Sequence, residues 1–238
     1  LPICFRQALK LGSRHALPKV EIDHDDIAFL QYTGGTTGVS KGATLLHRNV
    51  VANILQCEAW FSPVLKKLGD KPQTIVCALP LYHIYSLTVN ALIFMGLGGR
   101  NILIANPRDM KRVMMIIRHE KFTGMTAVNT LYNALVNHPD FTTIDFSGLV
   151  VSNGGGMAVQ RAVADKWKQV TGCTLAEAYG LTETSPAVCI NPLDIPEYNG
   201  SIGLPVPSTD ICIKDEDGNT LPMDGEAIDE LCVKMCLF

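Results

Sequence analysis

No Cys-x-x-Cys pair occurs among the 238 residues, although the chain has 8 cysteines. Finger-type metal ligation needs cysteine and histidine clustered at short spacing, so that class is excluded. Cys77, Cys189 and Cys212 sit in apolar or strand-like runs, where a thiol behaves as a small hydrophobe. The scattered cysteines read as reduced thiols of a cytosolic protein. Charge of neither sign predominates, since 20 basic and 23 acidic residues leave a net of -3. Without a basic stripe interleaved with aromatics, nucleic acid is not an expected partner. The opening Leu1-Pro2-Ile3-Cys4 lacks the basic start and sustained apolar stretch of a secretory signal.

Charge is missing altogether from Pro72 to Gly99, a run long enough in principle to span a bilayer. Pro80, Tyr82, His83, Ser86, Thr88 and Asn90 interrupt it, however. The better reading is a buried strand from Thr74 to Leu79, a loop, and a buried helix ending near Gly96 to Gly99.

The composition, 47% hydrophobic and 18% charged, suits a buried parallel sheet whose strands are apolar on both faces. Strand-like runs cover Ile27 to Tyr32, Ala43 to His47, Asn101 to Ala105, Phe122 to Val128 and Leu149 to Ser152. Between them, helical spacing joins Leu46, Val50, Ile54 and Leu55, with Asn49 as a candidate N-cap. Helical spacing also joins Met110, Val113, Met114 and Ile117, with Arg108, Lys111, Arg112 and Arg118 on the polar sides, and Leu131, Leu135 and Val136. A further helix from about Ala158 to Val170 stops where Gly172 can cap it. Alternating strands and helices predict an α/β fold of mostly parallel strands covered by helices. Residues 1–22 mix apolar and basic residues without clear periodicity and read as the end of a preceding linker. Residues 23–199 form the expected α/β core. From residue 200 to 238 the texture changes: strands from Asp210 to Lys214 and Glu230 to Lys234 flank the turn Asp215-Glu216-Asp217-Gly218-Asn219. This predicts the opening of a smaller β-rich subdomain, left unfinished by the apolar end Met235-Cys236-Leu237-Phe238.

The strongest chemical signal is Thr33-Gly34-Gly35-Thr36-Thr37-Gly38-Val39-Ser40-Lys41-Gly42. Glycines allow a nest of backbone N–H groups, four hydroxyls add donors, and Lys41 supplies a cation, which together suit phosphate oxygens. A plain turn is the alternative reading of glycine and threonine alone. A Walker loop is excluded, because Ser40 precedes the lysine and Gly42 follows it. The dinucleotide fingerprint fails at the adjacent Gly34 and Gly35.

Tyr32 to Ala43, YTGGTTGVSKGA, resembles the phosphate loop of the adenylate-forming enzymes: acyl-CoA synthetases, firefly-type luciferases and peptide-synthetase adenylation domains. Pro80-Leu81-Tyr82-His83 resembles that superfamily's substrate-pocket motif. Asn153-Gly154-Gly155-Gly156-Met157 and Tyr179-Gly180-Leu181-Thr182-Glu183-Thr184 resemble its adenine and magnesium motifs, and GSIGLPVP from Gly200 is similar to the segment that follows. From about Asp26 to Val233 the chain resembles the bacterial long-chain fatty acid–CoA ligases in particular.

The resemblance implies ATP, Mg²⁺ and coenzyme A as reaction partners of a long-chain fatty acid. It also implies a cytoplasmic enzyme, with peripheral attachment at the inner membrane face compatible with it. Thr33, Gly34, Gly35, Thr36, Thr37, Gly38 and Lys41 would hold the β- and γ-phosphates. Thr182 would bond the α-phosphate, and Glu183 would ligate Mg²⁺. Gly154, Gly155 and Gly156 would let adenine approach the backbone, with Tyr179 against its face and Gly180 beside it. His83 would line the substrate pocket. Read from the residues alone, the alternative for Glu183 is a surface helix acid in a capping pattern, and for His83 a satisfied core histidine. Aryl- or aminoacyl-adenylating domains and a non-catalytic nucleotide-binding remnant are the rival readings. The run Gly225 to Leu231 departs from the family pattern. The family's ribose-binding aspartate, hinge and C-terminal domain with its lysine have no counterpart, and neither does its N-terminal portion. The expectation is that the chain in isolation has little or no complete ligase activity.

Overall fold

A computed structural model describes residues 3–33, 40–69, 73–223, 225 and 228–235. Its centre is a seven-stranded sheet in the order β4-β3-β5-β6-β7-β8-β9. The strands are β3 (Thr74–Cys77), β4 (Arg100–Leu103), β5 (Gly124–Ala127), β6 (Val151–Gly154), β7 (Leu175–Gly180), β8 (Ala187–Ile190) and β9 (Leu204–Pro205). β4 through β7 in that spatial order pair in parallel, whereas β8 and β9 add antiparallel at one edge. The expected α/β class with a mostly parallel, helix-covered sheet is what forms.

Both faces of this sheet are apolar because both are covered. Ile75 packs on one side with Phe61, Val64 and Leu65 of helix α2 (His47–Leu65), and its neighbour Val76 packs on the other. That second side holds helices α5 (Met110–His119), α6 (Asn129–Val136) and α7 (Arg161–Thr171). Its centre is aromatic: Trp167 lies 4.7 Å from Tyr132 and 5.4 Å from Phe141, ring centre to ring centre. Ile75 has no accessible surface. Ile75→Val is therefore expected to lower stability by about 1 kcal/mol, read as an earlier urea midpoint at unchanged slope.

The uncharged run up to Gly99 resolves into β3 and a helical stretch made of α3 (Ile84–Ser86), a π segment (Leu87–Ile93) and α4 (Phe94–Gly96). Among the described residues no helix is long and apolar enough to cross a membrane. Of the polar residues that interrupt the run, Ser86, Thr88 and Asn90 are buried with partners, whereas Tyr82 and His83 are exposed. The Thr126 hydroxyl donates to Asn90 Oδ1 at 2.9 Å, and Asn101 Nδ2 donates to the Asn90 carbonyl at 2.8 Å.

Several boundaries differ from the sequence expectation. Asn49 does not cap α2 from outside: Leu46 is the N-cap, and Asn49 reaches back from the third helical position to accept its N–H at 2.9 Å. Residues Phe5–Gly12 form helix α1, with no buried residue, where the sequence showed no clear periodicity. Gly172 does cap α7 in the left-handed conformation, at φ 73°.

Two smaller sheets complete the fold. β1 (Ile27–Thr33) and β2 (Lys41–Leu46) form an antiparallel hairpin, with Thr33 opposite Lys41 at its neck. β10 (Thr209–Lys214), β11 (Thr220–Leu221) and β12 (Glu230–Met235) form an antiparallel sheet in the order β11-β10-β12. The predicted turn between β10 and β11 is closed by Asp215, whose carboxylate accepts the Asn219 N–H at 2.8 Å.

Candidate functional site

Ligands of open α/β sheets bind beyond the carboxyl ends of the strands, where connections depart in opposite directions. Here β3 has β4 on one side and β5 on the other, and two adjoining cavities lie at that end of the sheet. The smaller, of 330 Å³, falls in the range typical of small-molecule sites. It brings together Thr33, His83, Gly155, Gly156, Tyr179, Gly180, Thr182 and Glu183, residues from sequence segments far apart.

Each arrives for a local reason. Thr33 ends β1, and strand β2 lies beside the 3-10 turn Thr182–Thr184. That turn follows β7 and is held by its own hydroxyl: Thr184 Oγ1 lies 2.6 Å from the Pro186 carbonyl and accepts the Leu181 N–H at 3.0 Å. Pro186 O also accepts the Leu181 N–H, at 3.1 Å. Thr182 and Glu183 thus sit on a fixed corner. Gly155 leaves its backbone bare on the cavity wall, since a Cβ there would meet the Tyr85 ring at 3.2 Å. Gly156 adopts φ 78°, a left-handed conformation that a side chain would strain.

The cavity's back wall is a buried polar knot that the sequence did not announce. Tyr85 OH lies 2.6 Å from Asn153 Oδ1 and 3.1 Å from Asn153 O, so one proton is shared between two oxygens of one residue. Tyr132 OH also reaches Asn153 O, at 3.0 Å, and Asn153 Nδ2 donates to Ala176 O at 3.1 Å. Burial raises the ionisation of both tyrosines well above the usual phenol range, keeping them neutral donors. An asparagine directly before the glycines was the only sequence hint of this knot.

His83 is exposed and lines both cavities; its Nδ1 accepts the Tyr85 N–H at 3.2 Å. The larger cavity, of 650 Å³, has mainly apolar walls, among them Leu79, Pro80, Met110, Val128, Leu131 and Ala134. Arg108, read from the sequence as a solvated helix-side charge, also lines it.

Other sequence candidates fall elsewhere. Gly154 does not line either cavity. A Cβ on it would meet Val159 at 2.7 Å and Leu175 at 2.8 Å, so its glycine serves close packing of β6. Lys41 is exposed at the hairpin neck and makes no ion pair among the described residues. Gly34, Gly35, Thr36, Thr37 and Gly38 lie outside the described residues, as do most of the apolar end 236–238 and parts of the divergent run after Gly225.

As a metal site the donor set is sparse. Among the described residues no three His, Cys, Asp or Glu side chains converge. Glu183 supplies the one carboxylate on the smaller cavity's wall among the described residues. That donor set does not build, among the described residues, an all-protein cage of the kind Ca²⁺ or structural Zn²⁺ takes, and it fits Mg²⁺, which keeps waters and takes one or two carboxylates together with phosphate oxygens.

Comparison with known proteins bears on the family and the fold. A family model described as AMP-binding enzyme matches residues 5–236. The chain is 53% identical over 221 residues to a long-chain-fatty-acid–CoA ligase of Yersinia pestis, covering 93% of this chain and 39% of that protein. To the ligase of the same description from Haemophilus influenzae it is 46% identical, covering 98% of this chain and 41% of the relative. The chain therefore spans about 40% of the length of the curated relatives it matches. Among solved structures, ATP-bound MatB from Rhodopseudomonas palustris superposes with a TM-score of 0.77 at 27% identity, over 92% of this chain and 42% of that one. An anthranilate CoA ligase in complex with anthranoyl-AMP shares the fold at a TM-score of 0.78 and 24% identity, over 93% and 42%.

Proposed function

We propose a function from one established premise: this chain belongs to the AMP-binding enzyme family. Its residues form the nucleotide- and acyl-binding core of a ligase that joins a long-chain fatty acid to coenzyme A at the expense of ATP. Residues 23–199 are that core, 1–22 lead into it, and 200–238 open a smaller β-rich unit. The observation that carries this reading is the single cavity in which Thr33, Gly155, Gly156, Tyr179, Thr182 and Glu183 meet.

A carboxylate is a poor acyl donor, because its oxygen leaves badly. Attack of that oxygen on the α-phosphorus of ATP forms a new P–O bond and expels pyrophosphate. The coenzyme A thiol then attacks the acyl carbon, and AMP departs as the leaving group. Little covalent work falls to the protein; positioning and charge neutralisation dominate. Gly155 and Gly156 receive the adenine edge against bare backbone, with Tyr179 on its face. The Thr182 hydroxyl bonds the α-phosphate. Thr33 and Lys41, at the two sides of the hairpin neck, flank the loop 34–39 that cradles the outer phosphates. Glu183 holds Mg²⁺, which when bound supplies charge neutralisation of the triphosphate.

The larger, apolar cavity shares His83, Tyr85 and Gly156 with the nucleotide cavity. A hydrocarbon tail there places its carboxylate at His83, on the border of the two. The apolar lining disfavours a free amino acid, and the names of the relatives at 46–53% identity favour a fatty acid over an aryl acid. ATP–pyrophosphate exchange in an enzyme of full family length carrying this segment tests the reading. Palmitate should support exchange, and benzoate and free amino acids should not. Exchange driven by benzoate, with palmitate inert, would overturn it.

A further inference from the structure

Outside the candidate site, strands β10 and β12 run antiparallel with Cys212 directly opposite Cys232. Both thiols are free and half-buried. Residues opposite one another share a face, and faces alternate along each strand. One face of this ribbon therefore carries Asp210 with Lys234, Cys212 with Cys232, and Lys214 with Glu230, while the apolar pairs Ile211–Val233 and Ile213–Leu231 occupy the other. A groove of 320 Å³ reaches the thiols, with Asp210, Cys212, Lys214, Cys232 and Lys234 among its lining residues.

We infer that Cys212 and Cys232 are a redox-modification site, closing into a cross-strand disulfide by exchange with a small anionic disulfide such as oxidised glutathione. Geometry permits the bond without refolding. Directly opposed residues in antiparallel strands have Cα atoms about 4.5 or 5.5 Å apart, and a disulfide spans about 4.4–6.8 Å. Their Cβ atoms lie about 4.5–5.5 Å apart, against roughly 3.5–4.5 Å in a relaxed disulfide. Closing the bond draws the strands together, and the strain makes it easily reduced.

The chemistry balances as two exchanges. One thiol loses its proton and its sulfur attacks the glutathione disulfide, forming a mixed disulfide and releasing one glutathione thiolate. The second cysteine, likewise deprotonated, attacks the protein sulfur of that intermediate and releases the second glutathione. The two cysteines are oxidised by two electrons, and the glutathione disulfide is reduced to two thiols. Lys214 and Lys234 on the groove offer ammonium groups to the carboxylates of the incoming peptide, beside Asp210, which lines the same groove.

No other described cysteines are paired across strands in this way. Cys57, Cys77, Cys173 and Cys189 are buried, and burial together with Glu58 pushes the Cys57 thiol up to about 12. Cys4 is exposed and so serves as an internal reference.

The test treats the native full chain with oxidised glutathione, then alkylates it and maps the peptides. Cys236→Ser removes the one thiol outside the described residues. The expected product is a link between the Cys212 and Cys232 peptides with a loss of about 2 Da, reopened by excess reduced glutathione while Cys57 stays unalkylated. Cys212→Ser and Cys232→Ser should each leave the surviving partner as a stable glutathione adduct. Stable adducts on both cysteines of the unsubstituted pair would overturn the inference. So would both remaining as open to alkylation as before, under conditions that modify Cys4.

Discussion

Glu183→Gln, in an enzyme of full family length carrying this segment, is expected to lower palmitate-dependent ATP–pyrophosphate exchange by about 100-fold or more. Glutamine keeps the size and shape of the side chain and removes only its charge. The corner that carries residue 183 does not depend on that charge: Thr184 and the backbone of Leu181 and Pro186 hold it together. Glu183 is exposed, and no ion pair or side-chain hydrogen bond of its own ties it to the fold among the described residues. The melting temperature should therefore stay where it is while exchange collapses. Because the carboxylate acts through Mg²⁺, the residual activity should need much more magnesium for half-saturation. A loss smaller than about threefold at ordinary magnesium would remove Glu183 from the metal role. The exposed-acid alternative predicts just that small effect.

Legibility followed the range of the forces involved. Strands β3 and β5 could be read because burial on both faces leaves short, mostly apolar runs, and β6, whose own residues are Val-Ser-Asn-Gly, only through the apolar Leu149, Val150 and Val151 at its start. Strand β7 could not, because Glu177 stands in its middle and breaks the pattern. That carboxylate is buried all the same, since the Tyr198 hydroxyl lies 2.7 Å from it and Arg161 sits over the Tyr198 ring. Its partners come from other elements of the chain, which no local window contains. Burial and, after it, the hydrogen bond to Glu177 raise the Tyr198 phenol, so Tyr198 stays protonated as the donor. The candidate site divides the same way. Motif residues such as Tyr179, Thr182 and Glu183 declared themselves by type and spacing. Tyr85 and Arg108 belong to the cavities only because β3 and β4 end side by side. The glycine- and threonine-rich loop was the most explicit chemical statement in the sequence, and its centre, 34–39, lies outside the described residues.

Gly180→Ala should be the most damaging single methyl group that can be added at the site. Gly180 is not held in a left-handed conformation, so backbone strain is not the cause. The cause is contact: a Cβ would collide with the Pro186 carbonyl oxygen and come within 2.8 Å of its carbon. Backbone atoms cannot step aside by changing rotamer, so β7 and the Pro186 segment must part. The same Pro186 oxygen receives the Leu181 N–H and lies beside the Thr184 hydroxyl, which makes it the anchor of the corner bearing Thr182 and Glu183. Moving it by even about 1 Å displaces Thr182 and Glu183 together, and misplacement on that scale costs about 100-fold in rate. Overpacking of this kind also costs about 1–3 kcal/mol of stability. The variant should therefore melt earlier and lose exchange activity beyond what its folded fraction explains. Gly155→Ala supplies the comparison, since its methyl meets only the Tyr85 ring at 3.2 Å and leaves the corner alone. If the two variants lost activity equally, the corner would not be what Gly180 protects; a much larger loss in Gly180→Ala, with exchange measured per folded molecule, identifies the Pro186 anchor as the element that aims Thr182 and Glu183 into the cavity.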